Sequence, residues 1–184
     1  MNFRFAISGS HATGKSTVVA ELRSELHDYT FVDEAYAHLL DEGHGFGLKP
    51  TIEDIESQLA RSLTLIREAS GPNVVFERCP VDYLAYLTAL GADRETLQGW
   101  LAESEEALAS LGMVFFVPIE QPDRISIDAE DLPKLRRRVD RMLRDILLAD
   151  GWNLGLAVTP VEGPPGHRAG QILRSIGAMP GSAR

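Results

Sequence analysis

The segment FAISGSHATGKSTVVAEL, residues 5–22, decides the fold and contains an unusually placed lysine. Apolar residues lead up to Gly9, small polar residues follow, and Lys15 begins a stretch in which apolar residues recur at helical spacing. The chain has only three lysines, and a cation at a helix N-terminus is unfavourable because the helix dipole is positive there. Lys15 therefore indicates that an anion binds at this turn.

Residues 9–16, GSHATGKS, match the pattern G-x-x-x-x-G-K-[S/T] between an apolar strand and a helix. The two glycines allow backbone dihedrals that turn successive N–H groups inward, and the helix N-terminus adds positive charge. We expect Lys15 to reach the β- and γ-phosphates of a nucleotide and the Ser16 hydroxyl to ligate Mg²⁺. The predicted phosphate-binding residues are Gly9, Ser10, His11, Ala12, Thr13, Gly14, Lys15, Ser16 and Thr17.

Composition and charge narrow the class of protein. A chain of 184 residues is long enough for one domain with a continuous core. Its formal net charge of −9 argues against general nucleic-acid binding, which needs a basic surface. The single cysteine, Cys79, excludes an internal disulfide and a multi-cysteine zinc site, as expected in a reducing cytoplasm. The N-terminal apolar run is too short for a signal peptide and no stretch approaches membrane-spanning length, so we expect no membrane partner.

Short apolar runs alternate with helical patterns along the chain. The runs are rich in β-branched and aromatic residues without strict polar alternation, which is typical of strands buried on both faces of a parallel sheet. This alternation predicts a three-layer α/β domain over residues 1–176, followed by a flexible tail at 177–184. Strands are predicted at 3–8, 30–32, 73–76, 113–118 and 155–161, and helices at 15–27, 51–69, 80–90, 94–111, 133–149 and 167–176.

Charged residues follow two of the predicted strands. Asp33 and Glu34 come after the second strand, and Glu77 and Arg78 come after the third. Since ligands bind at the carboxyl ends of strands in such sheets, these groups are candidates for phosphoryl transfer. Glu77 can hold Mg²⁺ directly or through water, Arg78 can bind a phosphate oxygen, and Glu34 can accept the proton of an acceptor hydroxyl. The alternative is that these strand-end charges are merely solvated.

The segments GSHATGKST, DEAY and FERCPVDYLAY together resemble P-loop kinases, in particular nucleoside kinases and the AAA-type ATPase family that includes the ribosylnicotinamide kinase module. The triplet Glu77-Arg78-Cys79 is similar to the Glu-Arg-Ser triplet of deoxynucleoside kinases. The resemblance implies a five-stranded parallel sheet of order 2-3-1-4-5 and ATP as the phosphate donor. It places Glu77 near Mg²⁺ and Arg78 on phosphate, and it makes Glu34 the base. It further implies that Gln58, in the helix after a glycine-rich segment, reads the base of the acceptor.

The segment 119–150 lies where P-loop kinases have a LID, whose arginines neutralise the charge of the transferred phosphoryl group and exclude water. It contains the basic sequence KLRRRVDRMLR. Arg137 and Arg141 share one helix face with Arg144, and we expect phosphate contacts from Arg137 and Arg141. The alternative is a charged helix face that is only solvated.

Other basic residues have different expected places. Arg136 can pair with Asp140 one turn later, and Arg124, just after the fourth strand, competes for the phosphate. By the same resemblance, the segment EGPPGHR lies beside the adenine. Its residues Gly163 and Arg168 are then expected at the nucleotide, with Arg168 able to stack on or cap the base. Otherwise this segment is a Pro/Gly turn that begins the last helix.

Two functions are compatible with the sequence. The first is transfer of a phosphoryl group from ATP and Mg²⁺ to a small nucleoside- or nucleotide-like acceptor. The second is an ATPase or NTP hydrolase that acts as a switch for a partner. A hydrolase is expected to have Asp-Glu after the third strand, so Glu77-Arg78 favours the kinase. The absence of the guanine-specific sequence Asn-Lys-x-Asp favours ATP as the donor.

Overall fold

The computed structural model describes residues 3–128 and 132–178, and its strands form one parallel sheet. The strands are β1 (Phe3–Ser8), β2 (Thr30–Val32), β3 (Asn73–Glu77), β4 (Met113–Phe116) and β5 (Val158–Pro160). Their spatial order is β2-β3-β1-β4-β5, which confirms the predicted order. Because β1 lies between β3 and β4, the residues that follow these strands meet at one edge of the sheet.

Helices connect the strands, and most of them lie where the sequence predicts. They are α1 (Lys15–Glu25), α2 (Ala35–Asp41), α3 (Ile52–Glu68), α4 (Pro80–Leu90), α5 (Arg94–Ala109), α6 (Pro133–Leu143) and α7 (Pro165–Gly177). The short helix α2 was not predicted. The single helix predicted over 133–149 is instead α6 followed by a π-helical turn at Arg144–Leu148. Thr51 caps α3 as expected, since its hydroxyl accepts a hydrogen bond from the Asp54 N–H at 3.1 Å.

Both faces of the sheet are buried, which confirms the three-layer prediction. Successive residues of a strand point to opposite faces, so Ala6 and Phe76 pack towards α3, α4 and α6. Phe5 and Ile7 pack on the other face together with apolar residues of α1 and α7. Helix α5 lies outside α3 and α4, where the indole N–H of Trp100 donates to a Glu56 carboxylate oxygen at 2.9 Å.

Two expectations concern the ends and the extent of the domain. Helix α7 runs to Gly177, and residues 179–184 of the expected tail lie outside the described residues. Residues 129–131 of the LID segment also lie outside them, so the single-domain division stays a prediction. Among the described residues, none of the helices has the length and apolarity needed to cross a membrane.

Candidate active site

The loop between β1 and α1, residues 9–14, has the backbone conformation of an anion-binding nest. We call it the phosphate loop. Gly9 has φ 152°, Ala12 has φ 51° and Gly14 has φ 87°, so left-handed residues alternate with others along the turn. Gly9 cannot carry a side chain without rearrangement, because a Cβ there would lie 2.5 Å from the Val117 carbonyl oxygen. In the described part of the chain, the N–H groups of residues 12–14 have no hydrogen-bond partner. These N–H groups are therefore free to bind phosphate oxygens.

The carbonyl groups on the opposite side of this loop accept hydrogen bonds from cationic side chains. Lys15 Nζ donates to the Ser10 carbonyl at 2.5 Å, and Arg78 Nη1 donates to the Gly9 carbonyl at 2.9 Å. The remaining donors are Arg136, which reaches the carbonyls of His11 (3.1 Å) and Ala12 (2.9 Å), and Arg168, which reaches that of Thr13 (2.5 Å). The carbonyls of residues 9–13 are thus all paired with cations.

Lys15 is buried at the start of α1, with 4% of its surface exposed. Desolvation, assisted by the positive charge of Arg78, lowers the pKa of Lys15 to about 7, although Asp82, Glu34 and Glu77 oppose the shift. A bound anion would raise this pKa and favour the charged ammonium form of Lys15.

Ser16 and Glu77 lie together at the mouth of the loop, as the sequence predicts for a metal pair. The Ser16 hydroxyl donates to Glu77 Oε1 at 2.6 Å. Desolvation raises the pKa of the Glu77 carboxyl, and the hydrogen bond from Ser16 opposes this shift. One hydroxyl and one carboxylate oxygen, with substrate phosphates and waters, form the donor set that Mg²⁺ commonly takes. These residues therefore fit the cation.

Glu34 and Arg78 form a partly buried ion pair between the ends of β2 and β3. Arg78 Nε donates to Glu34 Oε2 at 2.7 Å. Burial alone would raise the pKa of Glu34, but the charge of Arg78 and its hydrogen bond hold this pKa below the usual range. Glu34 is therefore ionised at neutral pH and has a fixed orientation.

Asp82 is a site residue that sequence reasoning missed. Its carboxylate is fully buried and accepts hydrogen bonds from the Ser8 hydroxyl at 3.1 Å and from the N–H groups of Gly9 and Cys79 at 2.9 Å each. It also lies 3.5 Å from Arg78 Nη1. Asp82 therefore fixes the start of the phosphate loop to the start of α4. Its position three residues after Cys79, as in a capping box, was the available signal.

A cavity of about 290 Å³ opens beside the Glu34–Arg78 pair. Its lining includes His11 of the phosphate loop, Gln58 of α3, and the aromatic residues Tyr36, Tyr83 and Tyr86. The Tyr86 hydroxyl joins this cavity to the loop, because it accepts from the His11 N–H at 2.9 Å and lies 2.7 Å from His11 Nδ1. The structure thus brings the predicted residues Glu34, Gln58 and Arg78 to one cavity.

The basic helix α6 contacts the phosphate loop through a different arginine from those expected. Arg136 is 2% exposed and forms an ion pair with Asp123, so the predicted pairing of Arg136 with Asp140 is wrong. Asp140 instead accepts from Arg144 Nε at 2.8 Å. Arg137 and Arg141 lie on the exposed side of α6, and the phosphate contacts expected of them stay a prediction that this placement does not favour.

Glu120, which follows β4, organises the two other basic residues. It pairs with Arg124, accepts from Arg168 Nη2 at 2.8 Å, and accepts from the Gly163 N–H at 2.5 Å. Desolvation would raise the pKa of Glu120, but these hydrogen bonds and the charge of Arg168 lower it to about 2. Arg168 is buried against the loop instead of being exposed for stacking on a base. The structure therefore does not favour the predicted adenine contact of its side chain. Arg124 is paired with Glu120, so its predicted phosphate contact stays a prediction.

A glycine-rich loop between β1 and α1, charged residues after β2 and β3, and a parallel sheet of order β2-β3-β1-β4-β5 define a P-loop NTPase fold. The family model described as AAA domain matches residues 4–163, and the chain belongs to this family. Among the curated proteins, none matches this sequence.

Solved structures of similar fold include enzymes that act on nucleosides and nucleotides. Deoxyadenosine kinase from M. mycoides, with dCMP and dCDP bound, has a TM-score of 0.69 and 12% identity over 96% of this chain and 99% of that one. NadR protein in complex with NR has a TM-score of 0.71 and 15% identity over 99% of this chain, which spans about half (52%) of NadR. Thymidylate kinase from Candida albicans has a TM-score of 0.64 and 13% identity, over 95% and 91% of the two chains.

Proposed function

We propose that this protein transfers the γ-phosphoryl group of ATP to a hydroxyl or phosphate of a small nucleoside- or nucleotide-like acceptor. The observation that carries the proposal is the cavity of about 290 Å³, which is lined by the phosphate-loop residue His11 and by Glu34 and Arg78. We name it the acceptor cavity. A donor phosphate bound by the loop and an acceptor bound in the cavity would therefore be neighbours. Phosphoryl transfer depends mainly on such positioning and on neutralisation of charge.

On the donor side, the loop N–H groups and Lys15 would hold the β- and γ-phosphates. Ser16 and Glu77 would hold Mg²⁺, which when bound supplies positive charge to the phosphate oxygens. Arg78 supports this arrangement from the loop side, since it bonds the Gly9 carbonyl and orients Glu34. The loop and these side chains together would neutralise the negative charge of the transferred group.

On the acceptor side, the cavity combines aromatic walls with few polar groups, as small-molecule sites commonly do. Tyr36, Tyr83 and Tyr86 provide surfaces on which a planar base can pack. Gln58 donates through Nε2 to the Asp54 carbonyl at 3.2 Å, which orients its amide for contact with a base edge. The printed names of the structural neighbours, two nucleoside or nucleotide kinases and a protein in complex with NR, support the same acceptor class.

Glu34 would receive the proton of the acceptor hydroxyl. Its lowered pKa keeps the carboxylate ionised but makes it a weak base. A weak base suffices where the transition state is loose, because the bond from the γ-phosphorus to the ADP leaving group is largely broken before the acceptor hydroxyl loses its proton. Arg78 holds the carboxylate in place and would lie near the transferred group as well.

A screen with γ-labelled ATP and Mg²⁺ tests the proposal. The panel contains nucleosides, nucleoside monophosphates and nicotinamide riboside, each incubated with the purified protein. We expect label to appear in one acceptor class, with little label released as free phosphate. Label that appears only as free phosphate across the panel would contradict the kinase and indicate an ATP hydrolase.

Glu34→Gln is expected to lower kcat for the best acceptor by about 10²-fold, because the amide cannot accept a proton. The control is Asp33→Asn, the neighbouring acid, whose carboxylate pairs with Arg23 at 2.9 Å on the surface. Initial rates at saturating ATP and acceptor measure both variants, and Asp33→Asn should retain the wild-type kcat. A Glu34→Gln rate within twofold of wild type would remove the role of general base from Glu34.

A further inference from the structure

The carbonyl side of the phosphate loop is bound by two buried arginines, Arg136 and Arg168. Arg136 reaches the carbonyls of His11 and Ala12, and Arg168 reaches the carbonyl of Thr13. Each of these peptide units has its N–H on the opposite side, at residues 12, 13 and 14. Those N–H groups have no partner among the described residues. The two arginines therefore bind the carbonyl ends of the three peptide units whose N–H ends are free.

We propose that Arg136 and Arg168 are positioning residues for the nucleotide phosphates. They act through the loop backbone, and they fix three peptide planes so that the N–H groups converge on the anion. A peptide dipole whose carbonyl is hydrogen-bonded to a guanidinium keeps its N–H directed away from that cation. This inference rests on the proposed nucleotide site and adds the residues that give the site its shape.

The contacts of Arg136 show why its action is indirect. Four of its five N–H donors are used, two on the loop carbonyls and two on the carboxylate of Asp123. The Arg136 side chain is 2% exposed, and its guanidinium faces the carbonyl side of the loop. The hydrogen bond from Arg136, together with its charge, lowers the pKa of Asp123, so the carboxylate stays charged and holds the guanidinium in place.

The arrangement also connects separate parts of the chain to the phosphate site. Arg136 belongs to α6, its partner Asp123 belongs to the segment after β4, and Arg168 belongs to α7. Ala12 has the left-handed φ of 51°, which is costly for a residue with a side chain. The hydrogen bond from Arg136 to its carbonyl at 2.9 Å compensates for part of this cost. The geometry of the loop thus depends on the docking of α6.

Binding of inorganic tripolyphosphate with Mg²⁺ tests the proposal, because this probe has neither a base nor an acceptor. Arg136→Met is expected to weaken its affinity by about tenfold or more in calorimetry. Arg138→Met is the matched control, since Arg138 lies exposed on the same helix and the change in charge is equal. Arg136→Lys retains the charge and should restore part of the affinity, which a purely structural defect would not predict.

The possible outcomes separate this proposal from its alternatives. Equal affinity of wild type and Arg136→Met would overturn it, and so would a lower kcat with an unchanged dissociation constant, which indicates direct contact with the transferred group. Should Arg136→Met fail to fold, Arg136→Lys and Asp123→Asn decide: weaker tripolyphosphate binding in either supports the proposal, and wild-type affinity in both overturns it. If the wild-type protein binds tripolyphosphate but transfers label from ATP to no acceptor, the proposed function is contradicted and this inference stands.

Discussion

Lys15→Met is expected to abolish phosphoryl transfer while making the ligand-free protein more stable. The ammonium is the cation that would follow the γ-phosphate through the transition state, and no other described lysine lies at the loop. Methionine has a similar volume, so little cavity is created. We expect the rate of label transfer from γ-labelled ATP to fall by about 10³-fold or more.

The gain in stability follows from the pKa of Lys15, which is about 7 in the folded protein against an ordinary value of 10.5. The unfolded chain therefore binds this proton more tightly, and wild-type stability increases as the pH rises from about 7 to 10.5. The methionine variant lacks this dependence. The free energy of unfolding of Lys15→Met should exceed that of the wild type most at pH 7 and below. This difference should disappear near pH 10.5. Urea unfolding at several pH values measures this difference.

Nucleotide binding should shift the pKa of Lys15 in the opposite direction to folding. Phosphate charge raises the pKa of Lys15 again, so above pH 7 the wild-type protein should take up a proton when it binds ATP. Calorimetry at pH 8 in two buffers of different ionisation enthalpy measures this uptake. Lys134→Met is the control, because Lys134 is exposed on α6, and it should retain activity, stability and proton uptake. Full activity of Lys15→Met would contradict the proposed donor site.

The phosphate loop was predictable because its signal is local, and the sheet order was predictable because a family resemblance supplied it. The sequence GSHATGKS specifies a strand, a nest and a helix within a few residues, and the resemblance that includes it supplied the order β2-β3-β1-β4-β5. Burial of strands on both faces is equally visible, because such strands lose the polar alternation of a half-exposed strand. Glu34, Gln58 and Arg78 could be brought together in advance only by the resemblance.

The place of Arg136 at the loop could not be predicted from the sequence, because arginine is hydrophilic and a hydropathy pattern predicts that it is exposed. The buried face of α6 consists of Arg136, Val139, Asp140 and Leu143, so two charged residues lie on it. They are satisfied by main-chain groups far away in sequence, such as the His11 carbonyl for Arg136 and the Ile119 N–H for Asp140 at 2.8 Å. A pattern of apolar residues cannot reveal such partners, and it assigns the arginines to solvent.

Helix α2 was missed for a related reason. It has seven residues, begins directly after Glu34, and has no side-chain hydrogen bond at its N-cap. Only Ala35 within it is buried, so it has no apolar face for a pattern to detect. Its position depends instead on tertiary contacts with α3, such as the ion pair of Glu42 with Arg61 at 2.6 Å.

Asp82→Asn is expected to destabilise the protein by about 2–4 kcal/mol, because an amide cannot replace all the hydrogen bonds of a buried carboxylate. One amide oxygen can accept from the Ser8 hydroxyl and the Gly9 N–H, but the NH₂ group then faces the Cys79 N–H, which loses its acceptor. For a chain of this length, the melting temperature should fall by about 4–16 °C.

The same change should weaken ATP binding, because the Gly9 N–H to Asp82 hydrogen bond fixes the first residue of the phosphate loop. Thermal unfolding and calorimetry with MgATP, performed well below the melting temperature, separate the two effects. Asp93→Asn is the matched control: Asp93 caps α5 by accepting from the Thr96 N–H at 2.8 Å, and asparagine caps helices equally well. The control should keep the wild-type melting temperature and affinity. If Asp82→Asn did the same, the buried carboxylate would not be the anchor of the loop.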